Sequence, residues 1–149
     1  MFSPIRTGAV PFDQGVDSTS LPVHLAGCLR SVDASTVEIL GNHVAFTAGV
    51  FRLVGNWNVL APFGSGDLTV DSIAREVRYT LNCWQLVVIA IAMTGFMAAF
   101  LLLSSGNQIL WFLPFAWLWV VGGNLAIGIP RFRSFIARAV ATAPRRVAG

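Results

Sequence analysis

Residues 84–103 read WQLVVIAIAMTGFMAAFLLL, and residues 109–129 read ILWFLPFAWLWVVGGNLAIGI. Neither run holds an Asp, Glu, Lys or Arg, and the silence covers all of 81–130. A soluble domain of average composition would carry about a dozen charges in such a window, since roughly 25% of residues are normally charged. Each run has the roughly 20 residues that, at about 1.5 Å per residue, cross a hydrocarbon core of about 30 Å. Residues 104–108 (SSGNQ) between them are polar and turn-forming. The pattern predicts a transmembrane helical hairpin over 83–130, with spans at about 84–103 and 109–129. Helices apolar all round could otherwise exist only inside a large protein, and a chain of 149 residues has no such bulk to cover them.

The flanking charges orient the hairpin. Residues 131–149 (RFRSFIARAVATAPRRVAG) carry five Arg and no acid, Arg75 and Arg78 lie upstream of the first run, and the connecting loop is uncharged. Basic residues beside short loops stay on the cytoplasmic side, so both termini are expected in the cytoplasm of a bacterial cell, with two spans in its inner membrane. Residues 1–15 (MFSPIRTGAVPFDQG) lack the apolar core of a secretory signal. Residues 1–80 hold five Arg against seven acids. The basic excess therefore sits in the tail, where it speaks for topology and anionic lipid headgroups as partners, not for nucleic acid. Cys28 and Cys83, in a reducing compartment, are expected as free thiols.

Upstream of the runs the periodicity changes to two. Residues 1–22, with three prolines and two glycines, are expected as a flexible arm. Residues 23–31 fit a short helix or an irregular strand. Val37 and Ile39, then Val44 and Phe46, alternate with polar neighbours around Gly41-Asn42, which predicts a β-hairpin. Leu68 and Val70, then Val77, Tyr79 and Leu81, repeat the pattern around a turn at 72–75. Residues 49–63 are rich in large apolar side chains and fit a further strand or a short helix, and Gly64-Ser65-Gly66 reads as a turn. The fold class expected is an α+β membrane protein: a small antiparallel β-domain of four or five strands over 23–82, the two-helix hairpin, and a C-terminal amphipathic helix over 131–149. In outline this resembles bacterial membrane-anchored PH-like modules; no motif carries the resemblance, and it implies nothing about individual residues.

In the tail, Phe132, Phe135, Ile136, Ala139 and Val140 fall on one helical face, with Arg131, Arg133 and Arg138 flanking it. Pro130 can end the second span and open this new helix. The pattern fits an interfacial helix whose apolar face enters the headgroup region and whose Arg heads meet anionic lipid; packing on the chain's own sheet is the alternative. Gly95/Ala99 and Gly122/Ala126 are small-xxx-small pairs of the kind that lets helices approach closely. Helix rise places the first pair about 12 Å deeper than the second. Gly122/Ala126, beside Asn124 as an interhelical hydrogen-bond donor, is therefore expected to pack within the hairpin, leaving Gly95/Ala99 for a homo-oligomer or a partner membrane protein.

Chemistry-bearing patterns are sparse. His24 and Cys28, four residues apart, with His43 and Asp33 elsewhere, fall short of the three or four ligands a zinc site needs, and no nucleophile motif surrounds them. Gly64-Ser65-Gly66 lacks the frame and lysine of a phosphate loop. No ionisable residue lies inside either run, which argues against a carrier or proton-coupled pump. No cofactor, metal or catalytic residue is expected. The leading expectation is a non-enzymatic, membrane-anchored binding or adaptor module with a cytoplasmic β-domain; the alternative is an oligomeric two-span pore or membrane-disrupting effector, which would require a polar stripe along one span.

Overall fold

The computed structural model describes residues 4–49, 58–104 and 112–145. In chain order the elements are β1 (Ile5–Pro11), α1 (Leu21–Ser31), β2 (Thr36–Leu40), β3 (His43–Thr47), β4 (Ser65–Asp71), β5 (Glu76–Asn82), α2 (Trp84–Ser104) and α3 (Leu113–Ala141). The protein is α+β, with one five-stranded antiparallel sheet in the order β1-β5-β4-β3-β2.

Local chemistry accounts for each turn. Between β2 and β3, Gly41 takes φ +63° at the first central position of the two-residue loop, where a type II′ hairpin turn needs its glycine. Between β4 and β5, the Asp71 carboxylate accepts the amides of Ile73 (3.0 Å) and Ala74 (2.9 Å), and Arg75 adopts φ +53° to re-enter the sheet. Ser65 and Gly66, read from sequence as a turn, instead open β4. A Cβ on Gly66 would lie 2.7 Å from the Phe46 ring and 2.9 Å from the Thr80 carbonyl, so only glycine leaves room for that ring.

The arm expected over 1–22 is instead largely structured. Residues 5–11 form edge strand β1, paired with β5 from Ile5↔Asn82 to Pro11↔Glu76. The glycine and proline that resemble loop punctuation have positional roles. Gly8 lies under the Tyr79 ring, where a Cβ would collide, and Pro11 closes an edge strand that needs no donor on its outer side. Residues 23–31 belong to helix α1, which presents Leu21, Leu25, Ala26 and Leu29 to the core.

Alternation along the strands gives the sheet one buried face. Val10, Val44, Phe46, Leu68, Val70, Val77, Tyr79 and Leu81 are all buried. One face of this kind needs a covering layer. α1 covers the β2–β3 side, and the C-terminal half of α3 supplies the rest. Phe132 is its hub: its ring stacks on Phe46 at 6.0 Å and meets Phe63 and Tyr79 edge-on, each at 5.5 Å. Ile136 is fully buried and Ala139 and Val140 nearly so. The apolar face of 131–140, expected on the bilayer surface, is thus corrected to the roof of the sheet. On the sheet Phe132 and Ile136 lose all their exposure to water.

Nor does Pro130 separate two helices. α3 is continuous from Leu113 to Ala141 with Pro130 inside it. Proline there loses the bond to the Ala126 carbonyl and crowds it, at a cost of about 3 kcal/mol. Burying Phe132 and Ile136 just beyond it offsets that loss, at about 1.5–3 kcal/mol for each side chain. Nearby, Gly128 brings α3 against the 58–63 segment, where a Cβ would stand 2.5 Å from Pro62 Cγ.

α3 is long and apolar enough to cross a membrane, and 22% of its most apolar window is buried. α2 runs for 21 residues, of which the described apolar stretch is Trp84–Phe100. One of the two spans read from sequence is thus supported by length and composition.

Candidate functional site

α2 leaves β5 almost directly: Asn82 Oδ1 accepts the Trp84 amide at 2.9 Å, and the Cys83 amide bonds to the Pro4 carbonyl at 2.7 Å. α2 and the N-terminal half of α3 pack on each other. In these two stretches the buried residues are Val87 and Ala90 on α2 and Val121 and Leu125 on α3, and Trp117 is partly buried against the core. Away from the seam the surface is apolar and open. Phe96, Phe100 and Leu103 on α2, and Phe115, Leu118, Trp119 and Ile127 on α3, are all more than half exposed. Soluble monomers rarely carry an apolar surface this large.

The small-residue pairs are not where these helices meet. A Cβ added at Gly95, Gly122 or Gly123 would find no atom within 4 Å, and Ala99 and Ala126 are exposed. Asn124 donates to the Val120 carbonyl of its own helix at 2.6 Å instead of reaching α2. The assignment of Gly122/Ala126 and Asn124 to packing within the hairpin is therefore corrected. On α3 the buried side chains are instead Val121 and Leu125, one position from each small residue, and the close glycine contact of α3 is Gly128 against Pro62. Thr94 likewise donates to Ala90 O at 2.7 Å, the usual way a polar side chain in an apolar helix satisfies itself. Trp117 turns to the core and Trp119 outward. Asn58 caps the Leu60 amide at 2.9 Å and donates to Val32 O at 3.2 Å.

Beyond Pro130 the flanking arginines stay outside the core. Arg131, Arg133 and Arg138 are exposed, while Phe135, half-buried, packs beside Phe132 at 6.2 Å. Two adjoining grooves of about 300 and 400 Å³ run along this side of α3. Asn124 and Ile127 line the first, Ser134 and Arg138 the second, and Arg131 and Val59 both. Sequence reading named the arginines but not the groove, which exists only because residues 58–62 lie alongside α3.

The His24–Cys28 pair does come together, with Sγ 3.7 Å from Nε2. The same nitrogen is 3.0 Å from Ala139 O, so it serves as a donor to one of the last carbonyls of α3, which lack partners within the helix. That nitrogen is thus occupied, and burial pushes the Cys28 thiol up, away from the thiolate that a nucleophile needs. Among the described residues no group of three or more His, Cys, Asp or Glu converges as a metal site would require. His43 instead bonds the Thr69 hydroxyl at 3.1 Å on the outer sheet face. That face is polar: Arg78 bridges Glu76 (2.6 Å) and Asp71 (3.5 Å), and Thr7, Glu38, Asp67 and Thr80 are exposed around it.

Together these features define a class: an α+β protein whose sheet core is completed by a helix long and apolar enough to cross a membrane. Comparison with known proteins found no matching family model, no matching curated protein and no matching solved structure.

Proposed function

We propose that this chain is a two-span integral membrane protein of a bacterial inner membrane, acting as a non-enzymatic binding or adaptor module. In this reading α2 and the N-terminal half of α3 cross the bilayer as a hairpin, and the sheet rests against the cytoplasmic face with both termini on that side. The observation that carries it is the division of α3. Its first half is apolar and largely uncovered, while its second half is the roof of the sheet. A domain roofed by the end of its own membrane helix cannot move away from the bilayer, which suits a platform that holds a partner at the membrane surface. The polar outer face, with Glu38, Asp67 and Arg78 exposed, is the surface such a partner would meet.

Two further facts favour this reading over a pore. Thr94 and Asn124 use their polar atoms on their own backbone, so neither helix offers a hydrophilic stripe to a channel. The end of the second helix is committed to the sheet and is not free to rearrange. Proposed self-association through Gly95/Ala99 is compatible with the platform, since that notch is open. Cysteine at Ser105 tests the topology. It should be labelled from outside intact cells while reporters at both termini report cytoplasm; labelling only after lysis would refute the reading.

A further inference from the structure

Asn124, Ile127, Arg131, Ser134 and Arg138 follow one another at intervals of three or four residues and form one stripe along α3. The same stripe lines the two adjoining grooves beside residues 58–62. Its character changes along the helix. Toward the membrane half it holds Asn124 and Ile127, with Pro62 lining the same groove, and past Pro130 it is cationic and hydroxylated. Arg131 and Arg138 are seven residues apart, about 10 Å along the axis, with Ser134 between them. The headgroup region on each side of a bilayer is about 5–8 Å thick. If the hydrocarbon boundary falls near Pro130, a phosphate level with Ser134 lies at headgroup depth, between two guanidinium groups suited to its oxygens.

We infer that this groove holds one anionic phospholipid, its phosphate between Arg131 and Arg138 beside Ser134 and its acyl chain along Ile127 and Pro62. The inference rests on the membrane reading above. It goes beyond general attraction of a basic tail to a charged surface, because it assigns a single site with a stoichiometry. Arg133, equally exposed but outside the grooves, belongs to the general field and not to the site.

The test uses the full chain, solubilised in detergent, delipidated and titrated with diacyl phosphatidylglycerol or phosphatidylcholine under native mass spectrometry. A single phosphatidylglycerol adduct should form at least tenfold more readily than the phosphatidylcholine adduct. Arg131→Gln with Arg138→Gln should reduce it at least tenfold, and Arg133→Gln should leave it unchanged. Equal binding of the two lipids, or equal loss with Arg133→Gln, overturns the site. Displacement by millimolar inorganic phosphate assigns the arginines to a free anion and overturns the lipid as occupant. Alkaline carbonate extraction of the same cells separates the two claims. Release of the unsubstituted protein refutes the membrane reading itself, whereas retention without lipid preference refutes only this inference.

Discussion

Replacing Phe132 by alanine removes the ring around which Phe46, Phe63 and Tyr79 are arranged, at centroid distances of 6.0, 5.5 and 5.5 Å. Phe132 is fully buried, so the change both withdraws apolar area and leaves a cavity under α3. Buried Phe→Ala substitutions cost about 3–5 kcal/mol. A small domain has about 5–15 kcal/mol in total, so this is a large share of its stability. At about 1.4 kcal/mol per tenfold, a loss of 4 kcal/mol raises the open population by nearly a thousandfold. Cys83, fully buried at the junction of β5 and α2, reports that opening. In a Cys28→Ala background, the rate of Cys83 labelling by a maleimide in detergent should rise by two to three orders of magnitude in Phe132→Ala. An interfacial helix predicts something different: a labelling rate changed less than about threefold, with weakened binding of a tail peptide to vesicles. That outcome would refute the assignment of Phe132 to the core.

Other substitutions separate contacts from coincidences. Gly66→Val should destabilise the sheet by about 1–3 kcal/mol through overpacking against Phe46, read as a lower thermal midpoint in detergent. Gly122→Ala should leave that midpoint unchanged, since nothing lies within 4 Å of the added carbon, whereas Gly128→Ala should lower it through collision with Pro62. The Ala74 amide foremost, with the Ile73 amide and Arg78, holds the Asp71 carboxyl below the usual carboxylate range. Its folded pKa is depressed, so its contribution is present above the unfolded value of about 3.9 and is lost as pH falls through the folded value. Amide exchange in the 72–75 turn should therefore stay unaffected by Asp71→Asn at pH 2 but be faster in that variant at pH 6.

Much of the sheet is legible in the residues, because an alternating strand with one buried face announces itself. Val37, Ile39, Val44 and Phe46 around Gly41 and Asn42 mark β2 and β3, and Val77, Tyr79 and Leu81 mark β5. β1 is not, since the features that suit it to its place, Gly8 beneath a tyrosine ring and Pro11 at an open edge, are the ones that punctuate loops elsewhere. The tail shows a different ambiguity. Phe132, Ile136, Ala139 and Val140 form an apolar helical face that a bilayer or a sheet could bury equally well. What distinguishes the two is a count of layers: a sheet with eight buried inward residues cannot be roofed by the 11-residue α1 alone. The glycine pairs mislead for a related reason. Small residues permit close approach without requiring it, and the approach that does occur, at Gly128, depends on where Pro62 lies. The groove beside Arg131 and Arg138 is legible only in part, because its other wall comes from residues remote in sequence.

The division of α3 is the claim on which the rest depends, and a nitroxide scan along 113–141 tests it directly by power saturation in bilayers. Labels at Phe115, Leu118, Trp119 and Ile127 should be accessible to oxygen and shielded from an aqueous relaxant. Labels at Phe132, Ile136, Ala139 and Val140 should be shielded from both, with Arg133 and Ala137 open to the aqueous reagent. Oxygen accessibility at Phe132 and Ile136 matching that at Leu118 would place the second half of α3 in lipid and contradict the account.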